Sequence, residues 1–144
     1  MLNTEANMLV EASWIHVVAA VIYNSRQQIL LAQRPLHKHQ GGKWEFPGGK
    51  VEANETATLA LKRELFEELG IIADISAMQP LLEIKHAYSD KNIWLDVWIV
   101  PSFQNDALGR EGQLTAWFNL EDLKNLDFPA ANEPILTKLL AQSS

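Results

Sequence analysis

The chain has 144 residues, 47% hydrophobic and 21% charged, with a formal net charge of −6 and no cysteine. This balance predicts one soluble globular domain, and the missing cysteines exclude disulfides and thiol chemistry. No membrane-spanning apolar run, secretory leader or basic stripe is present, so we expect a cytoplasmic protein that binds neither membrane nor nucleic acid directly.

The first part of the chain predicts an arm followed by strands. Residues 1–12 are mixed in composition and are expected to form a flexible arm before a single domain over 13–144. The β-branched run 14–23 predicts a buried strand, and 29–34 predicts a strand that returns beside it. A short strand is predicted at 44–46, ended by a Pro-Gly-Gly turn.

A helix is predicted in the middle of the chain. It begins at Asn54, a residue suited to the N-cap, and runs without glycine or proline to Gly70, a typical C-cap. Leu61, Leu65 and Leu69 recur every four residues, so they form an apolar stripe that should pack on a sheet.

The second half of the chain predicts further strands and a terminal helix. The segments 80–88 and 92–100 predict a hairpin, with alternate residues of the second strand on opposite faces. After a polar loop come a strand at 114–119 and helical pieces near 120–126 and about 133 to 141. This order of elements predicts an α/β or α+β domain with a mixed sheet.

Three glutamates concentrate negative charge on the predicted helix. Glu64, Glu67 and Glu68 share one face beside the leucine stripe. Their repulsion is unfavourable, burial would raise the pKa values of their carboxyl groups, and the last turn of a helix disfavours anions. A divalent cation would offset all three effects, and such oxygen ligands favour Mg²⁺ or Mn²⁺. A solvated acidic surface is the alternative interpretation.

The residues around this helix match a longer pattern. Gly49 is followed at fixed spacing by Glu55 and then by the run RELFEELGI over 63–71. The stretch 49–71 resembles the Nudix box with every defining position filled. The resemblance implies the Nudix fold, an α/β/α sandwich with a mixed central sheet. It also implies an enzyme that hydrolyses a nucleoside diphosphate linked to another group.

Three further stretches resemble one branch of this family. WEFPGGK at 44–50, EGQ at 111–113 and DFPAANEP at 127–134 are similar to stretches of MutT-type 8-oxo-dGTP diphosphatases. The resemblance implies hydrolysis of 8-oxo-dGTP and related oxidised purine triphosphates to the monophosphate and pyrophosphate by a monomer, which protects replicating DNA from mutation. The alternatives are a Nudix pyrophosphohydrolase for other nucleotides, such as pyrimidine triphosphates, and a non-catalytic nucleotide-binding module.

The resemblance also implies a metal site and a catalytic base. Metal ligands would be one backbone carbonyl and four carboxylates, from Gly48, Glu64, Glu67, Glu68 and Glu111. Glu64 would also orient or deprotonate the attacking water, although the base differs among Nudix enzymes. Arg63 would orient a carboxylate such as Glu64 through a bidentate contact, and Glu55 would play a structural or supporting role.

Substrate contacts are implied at five positions, which are Arg34, Phe46, Lys91, Ile93 and Asn132. Arg34 would hold a phosphate, with Lys50 and Lys91 as further candidates. Phe46 and Ile93 would lie beside the base, and Trp44 and Trp94 are candidate walls.

Asn132 has two possible roles. It precedes the predicted terminal helix, where asparagine is a favoured N-cap. Its amide also carries both a donor and an acceptor, which can pair with O6 and the N7–H of an 8-oxoguanine edge. The second role would distinguish the oxidised base, because ordinary guanine has a lone pair at N7.

Overall fold

The computed structural model describes residues 14–38 and 41–143, so the predicted arm over 1–12 lies outside the described residues. The strands are β1 (Trp14–Ile22), β2 (Ile29–Gln33), β3 (Trp44–Glu45), β4 (Gly48–Lys50), β5 (Ile72–Ala73), β6 (Gln79–Ala87), β7 (Asn92–Val100), β8 (Phe103–Gln104) and β9 (Leu114–Phe118). The α-helices are α1 (Ala57–Leu69) and α2 (Glu133–Ser143), and 3₁₀ helices span Ile75–Ala77, Leu120–Asn125 and Ala130–Asn132. Among the helices of this described part, none combines the length and the apolar character needed to cross a membrane.

The main sheet has the strand order β4-β1-β7-β6. Its central pair, β1 and β7, is parallel, whereas β4 and β6 run antiparallel to their neighbours, so the predicted mixed sheet is confirmed. The predicted hairpin of β6 and β7 is also confirmed.

The prediction that β2 returns beside β1 is wrong, apart from a single bridge between the two segments. Tyr23 and Ile29 form that bridge, and β2 then joins β3 and β9 in a second sheet. The physical reason is that β4 and β7 already occupy both edges of β1, so no backbone groups of β1 remain for β2.

Helices cover both faces of the main sheet, which confirms the predicted sandwich. On one face, Val18 and Ala20 of β1 pack in one buried cluster with the leucine stripe of α1. On the other face, Ala19 and Val21 pack in a cluster with Ile135 of α2. Because neighbouring residues of a strand point in opposite directions, β1 contributes to both cores. Each fully buried leucine contributes about 1.5–3 kcal/mol.

The predicted Pro-Gly-Gly turn is wrong, because Gly48 and Gly49 lie in β4 and pair with Ala19 and Val18 of β1. A Cβ atom at Gly48 would overlap the carbonyl oxygen of Val18, and one at Gly49 would overlap the carboxyl group of Glu64. The glycines therefore serve close approach rather than chain reversal.

The predicted helix start is wrong by two residues. Asn54 has a φ of 70° and lies in a turn, whereas Thr56 is the N-cap and its hydroxyl accepts a hydrogen bond from the backbone N–H of Leu59 at 3.3 Å. The predicted C-cap is confirmed, since Gly70 has a φ of 74° and its N–H donates to the carbonyl of Phe66.

Candidate active site

The acidic face of α1 combines partly buried carboxylates, Glu64 and Glu68, with the exposed Glu67. Burial, together with the negative charges of Glu64, Glu111 and Glu45, raises the pKa of Glu68 to about 8, against a weaker opposing hydrogen bond from Gly48. Burial also raises the pKa of Glu64, although Arg63 opposes this effect. Both shifts have the direction expected for partly buried carboxylates that lie close together.

Arg63 links the start of α1 to the acidic face. Its bidentate partner is Glu55, with Nε to Oε2 at 2.7 Å and Nη2 to Oε1 at 2.9 Å, so the predicted bidentate contact with Glu64 is wrong. The hydrogen bond to Arg63 lowers the pKa of Glu55 to about 2. Arg63 Nη1 still donates to Glu64 Oε1 at 2.9 Å, and Nη2 donates to the carbonyl of Lys50 at 3.1 Å. Because Glu55 and the Lys50 carbonyl hold its guanidinium group in place, Arg63 can orient Glu64.

Glu111 belongs to an exposed loop that is tied to the end of α1. The N–H of Arg110 donates to the Glu68 carbonyl at 2.9 Å, and the N–H of Glu111 donates to Gln113 Oε1 at 2.9 Å. The Glu111 charge raises the pKa values of both Glu64 and Glu68, as expected for a carboxylate close to these two predicted ligands. Sequence reasoning missed Gln113, although it closes the EGQ stretch.

The carboxylate oxygens of this site are the kind of ligand that hard divalent cations prefer. Within residues 14–38 and 41–143, no three acidic or histidine side chains already converge as a metal-binding group. The carboxyl of Glu68 nevertheless faces the charges of Glu64, Glu111 and Glu45, and oxygen ligands around such negative charge favour Mg²⁺-like ions. A cation there would offset both the burial and the repulsion that raise the pKa of Glu68.

One cavity of about 280 Å³ lies between β1, β7 and the turn before α2. It is lined by all five predicted substrate residues and by two predicted metal ligands, namely Arg34, Phe46, Lys91, Ile93 and Asn132, with Gly48 and Glu68. The structure thus brings together residues that are up to 98 positions apart in the chain, from Arg34 to Asn132 (132 minus 34).

Two lining residues have additional contacts. Arg34 Nη1 donates to Glu45 Oε2 at 2.8 Å, and both side chains line this cavity and the adjoining one that contains Glu111. Phe46 is buried and stacks on Phe128 with ring centroids 5.6 Å apart, so it belongs to the core and to the cavity wall. Glu45 was not predicted as a site residue.

Three weaker candidates lie elsewhere. Trp94 stacks on His16, with ring centroids 3.9 Å apart, on the sheet face opposite Ile93, because neighbouring strand residues alternate. Trp44 packs edge-on against Phe118, and neither tryptophan lines the cavity. Lys50 is exposed at the end of β4 and does not line it either.

Asn132 lies in the last position of the 3₁₀ turn that leads into α2. Its N–H donates to the carbonyl of Pro129 at 2.9 Å. The preceding residue, Ala131, donates its N–H to the hydroxyl of Tyr88 at 3.1 Å, and Tyr88 also lines the cavity. Sequence reasoning missed Tyr88, whose only signal was its position at the end of the predicted strand 80–88.

Known proteins resemble this chain over most of its length. A family model described as the NUDIX domain matches residues 18–138. The 8-oxo-dGTP diphosphatase of Escherichia coli K12 is 37% identical over 125 residues, which cover 87% of this chain and 95% of that protein. The CTP pyrophosphohydrolase of the same organism is 39% identical over 127 residues, covering 88% and 92%.

A solved structure gives the same result. It comes from a study of MutT from Aliivibrio salmonicida and Vibrio cholerae, with 42% identity, a TM-score of 0.78, and coverage of 89% of this chain and 98% of that one. Nudix hydrolases act on small nucleotide substrates and generally need a divalent metal ion. The predicted family is therefore confirmed, and this chain belongs to the Nudix hydrolases.

Proposed function

We propose that this enzyme hydrolyses 8-oxo-dGTP and related oxidised purine nucleoside triphosphates to the monophosphate and pyrophosphate. The observation that carries the proposal is the single cavity in which Asn132, Phe46 and Ile93 meet Gly48 and Glu68. The residues proposed to bind the base and two of those proposed to bind the metal ion therefore line the same cavity. The similarity to the Escherichia coli 8-oxo-dGTP diphosphatase supports the same substrate.

The base would be read by Asn132 between apolar walls. Ile93 and Phe46 line the cavity and can pack on the purine, while the Asn132 amide accepts from N7–H and donates to O6. With dGTP the same acceptor would face the N7 lone pair. A buried polar group left unpaired can discriminate by factors up to about 10⁴–10⁵.

The phosphates would be held by side-chain cations and a metal ion. Arg34 and Lys91 line the cavity and supply positive charge. The proposed ion is Mg²⁺, for which Mn²⁺ can substitute, with ligands from Gly48, Glu64, Glu67, Glu68 and Glu111. When bound, such an ion neutralises phosphate charge and lowers the pKa of water.

Glu64 is the proposed base, positioned by Arg63. The contact from Arg63 Nη1 orients the Glu64 carboxylate, which accepts a proton from the attacking water. The water oxygen forms a bond to the α- or β-phosphorus, while the bond from that phosphorus to the oxygen that bridges the two breaks. Cleavage of this α–β bridge yields the monophosphate and pyrophosphate.

A panel of triphosphates tests the substrate. Oxidised and normal purine and pyrimidine nucleoside triphosphates are assayed with Mg²⁺, and we expect the highest kcat/KM for 8-oxo-dGTP. A higher value for CTP or dCTP would overturn the proposal.

Pyrimidine triphosphates are the second candidate substrate class. The 39% identity to the Escherichia coli CTP pyrophosphohydrolase favours them. A cytosine offers its N4 amino donor where 8-oxoguanine offers the O6 acceptor, so Asn132 would have to rotate its amide. A binding module without catalysis is disfavoured because the box keeps Glu64, Glu67 and Glu68.

The setting of the enzyme belongs to the same proposal. We propose a single domain over 13–144 that works as a monomer in the cytoplasm, where the nucleotide pool is used for replication. Sedimentation of the purified chain tests the monomer, and fractionation of cells tests the location.

A further inference from the structure

We infer that Tyr88 is a positioning residue for base selection, which holds the turn bearing Asn132 at a fixed distance from the β6–β7 hairpin. The inference deepens the proposed function and rests on it for the identity of the base. Tyr88 lines the cavity and follows directly after β6. Its N–H donates to the carbonyl of Lys91 at 2.8 Å, so the residue is anchored in the hairpin itself.

The hydroxyl of Tyr88 joins two walls of the cavity. The hairpin supplies Lys91 and Ile93, and the turn before α2 supplies Asn132. The hydrogen bond from the Ala131 N–H to the Tyr88 hydroxyl spans these walls at 3.1 Å. This hydrogen bond fixes the backbone N–H of the residue before Asn132, so it determines the position of the Asn132 side-chain amide.

The Ala131 N–H needs this partner. Ala131 is only 4% exposed, and its N–H lies in the first turn of a 3₁₀ helix, where backbone donors have no partner within the helix. A buried donor left without an acceptor costs about 1–3 kcal/mol, so the turn would shift to reach water if the hydroxyl were absent. The expected result is a displaced Asn132 rather than an unfolded chain.

The effect should fall on selection rather than on turnover. The Tyr88 hydroxyl bonds the turn before α2, whereas the α1 carboxylate that lines the cavity, Glu68, stands on a different element. A pair of hydrogen bonds to a base edge needs groups held within about 0.5 Å. A looser turn therefore weakens the distinction between bases while leaving the phosphate chemistry intact.

Tyr88→Phe removes the hydroxyl and keeps the ring, including its contact with His86 at 4.5 Å between centroids. We expect the 8-oxo-dGTP to dGTP ratio of kcat/KM to fall roughly 10-fold, the equivalent of one hydrogen bond, through a higher KM for 8-oxo-dGTP with kcat retained. Tyr23→Phe is the matched control, because Tyr23 is a half-buried tyrosine that does not line the cavity. An unchanged ratio in Tyr88→Phe would overturn the inference.

A second background separates positioning from a general effect on the fold. If Tyr88 acts through Asn132, Tyr88→Phe should change the ratio by less than about 2-fold in the Asn132→Ala variant. An equal loss in both backgrounds would contradict the inference. Amide hydrogen exchange gives a readout without activity: the Ala131 N–H should exchange faster in Tyr88→Phe, and unchanged exchange would also contradict it.

The outcomes for the two proposals remain distinct. The preferred triphosphate of the unmodified enzyme is measured first, and a preference other than 8-oxo-dGTP would sink the proposed substrate. The Tyr88 comparison is then made with that preferred nucleotide and its closest competitor, so it tests the positioning role in either case.

Discussion

The carboxylate end of the site, around Glu64 and Glu68, is held by ion pairs, whereas the base end, around Asn132, is held by packing and backbone hydrogen bonds. At the first end, Arg63 forms ion pairs with four glutamates, Glu52, Glu55, Glu64 and Glu67, and the pKa of Glu68 is raised to about 8. At the second end, Tyr88 bonds a backbone N–H. The difference teaches that the chemistry is fixed largely within one helix and its preceding strand, with Glu111 added from a later loop, while the choice of base depends on segments that are distant in the chain.

The largest expected effect lies at the carboxylate end. Glu64→Gln keeps the shape and removes the charge, so kcat should fall at least about 10²-fold, the scale of losing a general base or a metal-assisted step. The 8-oxo-dGTP to dGTP ratio should survive, because the base end is untouched. Steady-state kinetics measure both, with the exposed Glu121→Gln as control. Near-normal turnover of Glu64→Gln, or full activity of the unmodified enzyme in excess EDTA, would contradict the assignment of metal-dependent catalysis to the carboxylate end.

The next effect lies at the base end. Asn132→Ala should lower the 8-oxo-dGTP to dGTP ratio of kcat/KM by about 10-fold or more, since one buried polar partner is lost, while metal-dependent turnover survives. Asn132→Asp should also impair the preference, because a carboxylate cannot donate to O6. If Asn132→Ala lowers only the melting temperature, Asn132 serves the helix and not the base.

A smaller effect concerns stability and pH at the carboxylate end. The folded pKa of Glu68 is raised from 4.5 to about 8, so the folded state binds the extra proton. Without metal, the free energy of unfolding should therefore fall as pH rises from about 4.5 to about 8, with Glu64 acting in the same direction. Glu55 has a lowered pKa, so its contribution to the free energy of unfolding is lost only as the pH falls below about 4.5.

Glu68→Gln tests this sign. The melting temperature of the metal-free variant should depend less on pH, and at pH 8 it should exceed that of the unmodified enzyme by a few degrees, roughly 4 °C per kcal/mol at this size. Added Mg²⁺ should raise the melting temperature of the unmodified enzyme more than that of the variant. Parallel pH curves for the two proteins would contradict the assignment.

The smallest effect lies outside both ends. Thr56→Ala removes the N-cap of α1 and should cost about 0.5–2 kcal/mol of stability, with kcat and base preference unchanged. Asn54→Gly is the matched comparison, because glycine accepts the φ of 70° at little cost. Denaturant unfolding measures both. A larger loss in Asn54→Gly would restore Asn54 as the cap.

The sequence predicts elements that depend on local periodicity and misses contacts that depend on distance in the chain. The alternation in β7 and the leucine stripe of α1 are local patterns, and both predictions hold. The box spacing also identifies the family. The strand β4 was missed because glycine has no local preference for strands, and its pairing with β1 depends on close packing.

The missed site residues have the same cause. Tyr88 reaches Ala131 across 43 positions, and Gln113 reaches the Glu68 carbonyl across 45. The bidentate partner of Arg63 was misassigned because Glu55 precedes the helix, and its approach depends on the turn before Thr56. None of these contacts follows from residue type and spacing.

The two glycines of β4 have a consequence for engineering. Replacing glycine by alanine is a common way to stabilise a protein, because alanine restricts the unfolded chain more than glycine does. At Gly49 the added methyl group would occupy the space of the Glu64 carboxyl, and at Gly48 it would push β4 away from Val18. In a saturation library, substitutions at Gly48 and Gly49 should therefore be tolerated as poorly as substitutions at Glu64. Automated stabilisation of this enzyme should leave both glycines fixed.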